Sequence, residues 1–275
     1  MTCTGAAGGV PAQAVYDALE ACFTPWKYSD IFPKKGLQYH NADVIRKVYV
    51  ATFASVPVLR QVLETGERDV LLFTHHPVPP KKDETGDYGV IPPALLAAMA
   101  ERGVSLFSYH IPMDCHPVYS PARTLALALG MEPYEPFYPQ NNGYIGVLCR
   151  SPFQTAGEVR RRLEEVLGHR TSRYDFGGDA LPGGQAAIMP GGARSTEIYR
   201  ELRERDIRLF ITGVTNERID WVRAAHQEAR RWGVTILGGT HCSTEMFAPR
   251  ALAPFFRDLG LDTQYVPDAP NLDDL

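Results

Sequence analysis

Short apolar runs alternate with helix-like segments along almost the whole chain, and this alternation limits the fold more than any other feature. Strands are expected at 47–53 (KVYVATF), 70–74 (VLLFT), 104–108 (VSLFS), 144–149, 186–189, 207–212 (IRLFIT) and 234–237 (VTIL). Between them, helices are expected at 58–63, 93–100, 122–129, 157–167, 196–205 (capped by Ser195) and 219–232. A first helix is read at 15–23, and a last one at 245–259, interrupted near Pro249 and Pro254. Repeated strand–helix alternation predicts an α/β fold with largely parallel sheets. Runs that are apolar throughout suit sheets covered on both faces. The segment 133–142 (PYEPFYPQNN) reads as a linker or excursion, which sets an approximate boundary between halves 1–135 and 136–275 and leaves the final helix free to pack back on the first half. The segment 172–182 reads as an exposed loop, and the acidic residues 267–275 as frayed.

The ends of three strands carry the chemistry. VLLFT runs into His75-His76-Pro77, VSLFS into Tyr109-His110 with Asp114 and His116 beyond, and VTIL into Gly238-Gly239-Thr240-His241 with Glu245 after it. Ligands bind open α/β sheets at the carboxyl ends of strands. His75 and His76 are adjacent, so on a regular strand their side chains diverge to opposite faces. They suit two neighbouring ions better than one. His241 and Glu245 stand at i and i+4, which puts both on one helix face. Imidazoles with carboxylates form a donor set suited to Zn, Fe, Mn or Co rather than Ca. Bridging carboxylates between ions about 3.5–4 Å apart characterise two-metal hydrolytic sites. His40, His169 and His226 lack such a context and read as surface or helix residues.

The glycine stretch MPGGARSTE follows a short strand and opens a helix. Its amides could cradle a phosphate, but it lacks the Lys-Ser/Thr ending of a P-loop. A tight strand-to-helix turn is the simpler reading. Apolar residues make up 44 % and charged residues 22 %, close to the globular averages of about 45–50 % and 25 %, which excludes a disordered chain. The net charge of −4 gives no basic footprint for nucleic acid. No Lys or Arg precedes Lys27, so a basic signal-peptide region is missing, and nothing approaches 18 consecutive apolar residues. The five cysteines form no C-x-x-C pair, and Cys242, next to His241, reads as a packing residue. Reduced thiols point to a cytoplasmic protein.

Five blocks, in order, resemble the NGG-interacting-factor-three-like family, whose members carry the name type 2 homologue of GTP cyclohydrolase I. They are Gly36-Leu37-Gln38 with Asp30 upstream, LLFTHHP, SYHIPMDCHP, PGGARS followed by IRLFITGVTNE, and GGTHCSTE. The resemblance runs from about Val15 to Gly260. It implies two α/β halves with a dinuclear metal site between them, assembled into a ring-shaped hexamer. The implied ligands are His75, His76, Asp114, His241 and Glu245, with Glu245 as the bridging carboxylate. His110 matches a histidine that lines the site, as a supporting group or a proton shuttle. The chain departs from the family pattern at Ala51-Thr52-Phe53, where an aspartate is usual, at Val214, where an acidic residue is usual, with Glu217 three further on, and at Val118-Tyr119-Ser120-Pro121.

The expected function is therefore a dinuclear metal-dependent hydrolase acting on a small nucleotide-like molecule, with His110 and Glu217 moving protons. Opening of the guanine ring of GTP is the specific form the resemblance suggests. A two-metal phosphoesterase and a non-enzymatic metal-binding ring that serves as a scaffold or regulatory partner are the alternatives. Two divalent ions, Zn, Fe, Mn or Co, are the expected cofactors. Copies of the chain and a small-molecule substrate are the expected partners, and a membrane or nucleic acid is not.

Overall fold

The computed structural model describes residues 8–80 and 88–275; Cys3 lies outside them. The chain is mixed α/β, as the alternation predicts, and its contacts divide it into two compact units. The first comprises residues 8–80, 88–116 and 248–268, and the second residues 117–247 and 269–275.

The first unit is built on a five-stranded sheet. Its order is Asp262–Tyr265, Lys47–Phe53, Val70–His76, Val104–Ser108, Gly36–Tyr39. The first four strands are parallel and Gly36–Tyr39 closes the edge antiparallel. Alternate residues of the Val70–His76 strand serve the two faces, as strand geometry requires. Val70 and Leu72 pack with Val58, Leu59, Val62 and Met99 from the helices Val56–Glu64 and Pro93–Arg102. Phe73 faces the other way, into an aromatic layer with Phe23, Phe107, Tyr109 and Phe256. Each large side chain fully buried this way contributes roughly 1.5–3 kcal/mol. Ser55 starts the helix after Lys47–Phe53 by accepting from the Val58 amide at 3.2 Å, with Pro57 in its first turn.

The second unit holds a six-stranded sheet ordered Glu132–Gln140, Gly143–Arg150, Gln185–Ile188, Leu209–Thr212, Thr235–Gly238, Ser172–Tyr174. The inner three, Gln185–Ile188, Leu209–Thr212 and Thr235–Gly238, are parallel. The remaining pairings are antiparallel. Helices Pro121–Leu129 and Ala156–Leu167 cover one face through Leu125, Leu129, Val159 and Leu163. Ile198–Glu204 and Asp220–Trp232 cover the other through Ile198, Leu202, Ala225 and Ala229.

Four expectations change. The supposed linker 133–142 is a strand, Glu132–Gln140, paired with Gly143–Arg150 through an Asn141-Asn142 turn with φ of 53° and 68°. Asparagine tolerates that left-handed backbone, so Asn-Asn closes a two-residue hairpin while the prolines occupy an edge strand. The compact units therefore divide at 116/117 and not at 135/136, because Pro121–Leu129 packs on the Gly143–Arg150 strand. The start of the expected 172–182 loop is the edge strand Ser172–Tyr174. The last helix is interrupted as expected, into His241–Glu245, Phe247–Arg250 and Ala253–Asp258, but an unforeseen strand, Asp262–Tyr265, follows it and belongs to the first unit. Among the described residues no cysteine forms a disulfide, and no helix is long and apolar enough to cross a membrane.

Candidate metal centre

In the first unit, parallel pairing delivers His75 and His76 at the end of the Val70–His76 strand. The Val70–His76 strand keeps its register with Lys47–Phe53 as far as Phe53–His76, and the Tyr109 amide bonds the Thr74 carbonyl on its other side. The two rings nonetheless converge instead of diverging, with centroids 4.3 Å apart. Both are fully buried. Tyr109 and His110 follow the next strand, and the four-residue helix Ile111–Asp114 turns Asp114 back toward the histidines. His75 Nε2 stands 3.4 Å from Asp114 Oδ1, and His110 Nε2 stands 3.7 Å from Asp114 Oδ2. One ligand atom each from His75, His76 and His110 lies within 4.8 Å of the others.

The tautomers are fixed by oxygen acceptors. The His75 Nδ1–H donates to the Tyr109 carbonyl at 3.1 Å, which leaves the Nε2 lone pair facing Asp114. The His110 Nδ1–H donates to Asp30 Oδ1 at 2.8 Å. Asp30 accepts in addition from the amides of Phe32 at 3.1 Å and Ile111 at 3.0 Å, and its side chain is only 1 % exposed. Burial pushes the Asp30 carboxyl up, but the His110 bond and charge and the two amides outweigh it and hold the group below its ordinary value. His76 is set differently. Phe53 lies flat on its ring, and Tyr88 stands 5.4 Å away.

In the second unit, the Thr235–Gly238 strand leads into the short helix His241–Glu245. Thr240 caps it and exchanges hydrogen bonds with Ser243. The i,i+4 spacing works as expected: His241 Nε2 and Glu245 Oε2 are 3.2 Å apart, with Glu245 5 % exposed. The glycine turn lies over this pair. Gly191 has φ of +68°, and a Cβ there would meet Glu245 Oε1 at 2.1 Å and His241 Nε2 at 3.0 Å. Only glycine leaves that space. The Gly191 amide is taken by the Thr244 hydroxyl at 3.1 Å, so the turn packs against the ligand helix. The following helix begins at Ile198, and its first turn has no side-chain cap; the Ser195 hydroxyl bonds the Glu197 amide instead.

The chain's last residues join this unit and are not frayed. Asp274 Oδ2 accepts from the His241 amide at 2.8 Å, and its carbonyl accepts from Thr215 and Asn216. Burial raises the Asp274 carboxyl above its ordinary value in spite of the His241 amide. Glu217 is engaged elsewhere: its carboxylate meets His226 Nδ1 at 2.9 Å, and that imidazole, on the helix Asp220–Trp232, is buried against Tyr174 and Phe176. His169 bonds the Ser243 hydroxyl, His40 lies with Tyr16 and Asp43, and His116 packs on Phe23 near Cys22.

Each unit thus offers a donor set of imidazole and carboxylate that fits a divalent cation of the Zn, Fe, Mn or Co type. Neutral imidazole lone pairs aimed at a carboxylate repel it unless a positive charge lies among them. Gly191 packs so closely on Glu245 and His241 that no side chain fits between them. Sequence reasoning singled out His75, His76, Asp114, His241 and Glu245. It gave no role to Asp30, the Tyr109 carbonyl or Asp274, because hydrogen bonds across 33–80 positions leave no local pattern.

The model of the family described as Duf34/NIF3 (NGG1p interacting factor 3) matches residues 10–266. A relative from Chlamydia trachomatis serovar D, named GTP cyclohydrolase 1 type 2 homolog, is 29 % identical over 251 residues, covering 90 % of this chain and 93 % of its own. One of the same name from Pseudomonas aeruginosa is 27 % identical over 240 residues, covering 86 % and 88 %. Among solved structures, the protein ybgI, described as of unknown function, shares the fold with a TM-score of 0.78 at 22 % identity, over 95 % of this chain and 99 % of its own. A Bacillus cereus protein described as related to NIF3 does so with a TM-score of 0.71 at 12 % identity, over 96 % and 98 %. With its fold matched and the family's pattern running through nearly its whole length, the chain belongs to the Duf34/NIF3 family.

Proposed function

We propose that His75, His76, Asp114, His241 and Glu245 are ligands of two divalent metal ions, and that the protein is a hydrolase of a small nucleotide-like substrate. The observation that carries this reading is the donor chemistry. His75 presents a lone pair to a carboxylate because its other nitrogen is committed to the Tyr109 carbonyl. The relatives named for GTP cyclohydrolase support a guanine nucleotide as the first substrate to test.

When bound, a pair of such ions supplies hydroxide near neutral pH and polarises the bond under attack. The chain's own residues orient and exclude. Tyr109 fixes the tautomer of His75, and Phe53 holds the plane of His76. Asp274 and Gly191 hold the His241–Glu245 pair, one through the His241 amide and the other by leaving space. In the proposed reaction, water adds to C8 of the guanine ring, the C8–N bond breaks, and a second hydrolysis releases formate.

Elemental analysis of protein purified without added metal should find up to two ions per chain. Fewer than about 0.2, with no uptake on reconstitution, would refute the two-ion reading, since that mechanism needs both. The metal-loaded protein should then release formate from GTP. Inorganic phosphate or GMP instead would make it a phosphoesterase. No product with any of the four metals would leave metal binding without hydrolysis, which is the scaffold alternative.

A further inference from the structure

We infer that the second unit carries a binding site for the phosphate group of a small molecule, in the cleft lined by Glu217, Arg223, His226, Gln227 and Arg230. None of these side chains is among the proposed metal ligands, and the site stands whether or not those hold ions.

The cleft has a volume of about 500 Å3, within the range of roughly 300–1,000 Å3 usual for small-ligand sites. Its lining side chains are all polar, so it suits a polar or charged group. Arg223, Gln227 and Arg230 stand at i, i+4 and i+7 of the helix Asp220–Trp232, which sets all three on one face. Two guanidiniums and an amide thus bring N–H donors to one cleft. His226, one residue before Gln227, is the buried member of the lining, 3 % exposed.

The charges around the cleft are spent unevenly. The Glu217 carboxylate meets His226 Nδ1 at 2.9 Å. Arg223 pairs with Asp220 and donates to the Glu217 carbonyl at 3.3 Å. Among the described residues, no carboxylate pairs with Arg230 and no group bonds the Gln227 amide. The Arg230 guanidinium lies over the Phe176 ring at 4.9 Å, a stack that restrains it and leaves its N–H groups unused. His226 adds no charge: burial lowers its pKa more than Glu217 raises it. Its Nε2 is shut off from water and has no partner, so a proton there would sit unpaired in the interior. Glu217 would repel an anion, but its bond to the His226 ring holds it there instead of on Arg230. Donors from three side chains match the three terminal oxygens of a phosphate monoester, where a carboxylate offers only two. Guanidiniums are the side chains whose planar donor fork fits phosphate.

The test is titration of the full-length chain with inorganic phosphate, followed by NMR of the His226 imidazole, whose resonances are assigned by their loss in His226→Gln. Potassium chloride and potassium acetate at the same ionic strength are the controls. Phosphate should shift the His226 resonance saturably and raise its pKa, because a bound anion offsets the lowering charge of Arg230. Arg230→Gln should weaken phosphate binding about 10-fold or more, as expected for a hydrogen bond to a charged group, and Gln227→Ala should weaken it less. Both side chains are exposed, so neither variant takes anything from the core. The inference is overturned if the shift follows ionic strength alike in all three salts, if Arg230→Gln leaves phosphate binding unchanged, or if acetate saturates as tightly as phosphate. Phosphate held at a metal centre would survive Arg230→Gln, so this inference and the two-ion reading fail separately.

Discussion

Phe53 lies flat on the imidazole of His76, with centroids 4.2 Å apart and planes inclined by 9°. The two residues face each other in the register of adjacent parallel strands, so backbone pairing sets the stack. An apolar ring thus holds His76. Replacing Phe53 by Ala should cost about 3–5 kcal/mol of stability through the cavity it leaves. It should also weaken metal uptake by freeing His76. Phe53→Leu should cost less and keep more of the metal. Urea titration and metal analysis of the two variants side by side would check the order.

Gly191→Ala should lose metal binding for a steric reason. The left-handed backbone costs about 1–2 kcal/mol for any L residue. The added methyl also has to displace the Glu245 carboxylate. Gly130 is the matched control: its φ is +78°, but a Cβ there meets nothing within 4 Å. Gly130→Ala should show the same order of backbone cost and unchanged metal stoichiometry. Thermal unfolding and elemental analysis separate the two contributions.

Asp274→Ala should leave the His241 amide without its partner. An unmet buried donor costs about 1–3 kcal/mol. The larger expected effect is on metal affinity, because the first residue of the ligand helix loses its anchor. Removal of residues 271–275 should reproduce the variant, since it takes away Asn271 and the carbonyl held by Thr215 and Asn216 as well. Metal titration of both proteins would test this; unchanged affinity in the shortened chain would exclude an anchoring role.

His226 should make the protein less stable in mild acid. Burial lowers its pKa, and this outweighs the Glu217 carboxylate, which raises it; Arg230 nearby lowers it further. A histidine with a folded-state pKa below its unfolded value of about 6.5 binds fewer protons when folded. The stability it contributes is complete above that value and is lost as pH falls through the folded-state value. His226→Gln should therefore flatten the fall in urea midpoint between pH 7 and pH 5. Glu217→Gln should steepen it, because the raising charge is gone.

What could be read from the chain was set by range. Lys47–Phe53 and Val104–Ser108 match the strands expected from apolar runs to the residue, because burial on both faces writes itself into consecutive positions. The five ligand candidates were legible for the same reason: each sits just past such a run. The Glu132–Gln140 strand was not, since four of its features, the prolines 133, 136 and 139 and the polar end at Gln140, argue against a strand unless its place at a sheet edge is known. The Asp30–His110 bond spans 80 positions and leaves no periodic trace. The approach of the His75 and His76 rings to 4.3 Å runs against the divergence expected of adjacent strand residues and shows only in the structure.

The distribution of the two units along the chain has a consequence for biosynthesis. The first unit lacks its edge strand until Asp262–Tyr265 has been made, and the second lacks the anchor of its ligand helix until Asp274 follows. Synthesis must therefore pass residue 265 before the first sheet is closed, and residue 274 before the second unit's ligand helix is anchored. A chain released between residues 266 and 270 has its first sheet whole but its His241 helix unmoored. A chain released before residue 262 leaves both unfinished, with the Lys47–Phe53 strand as a bare sheet edge open to pairing with another nascent chain.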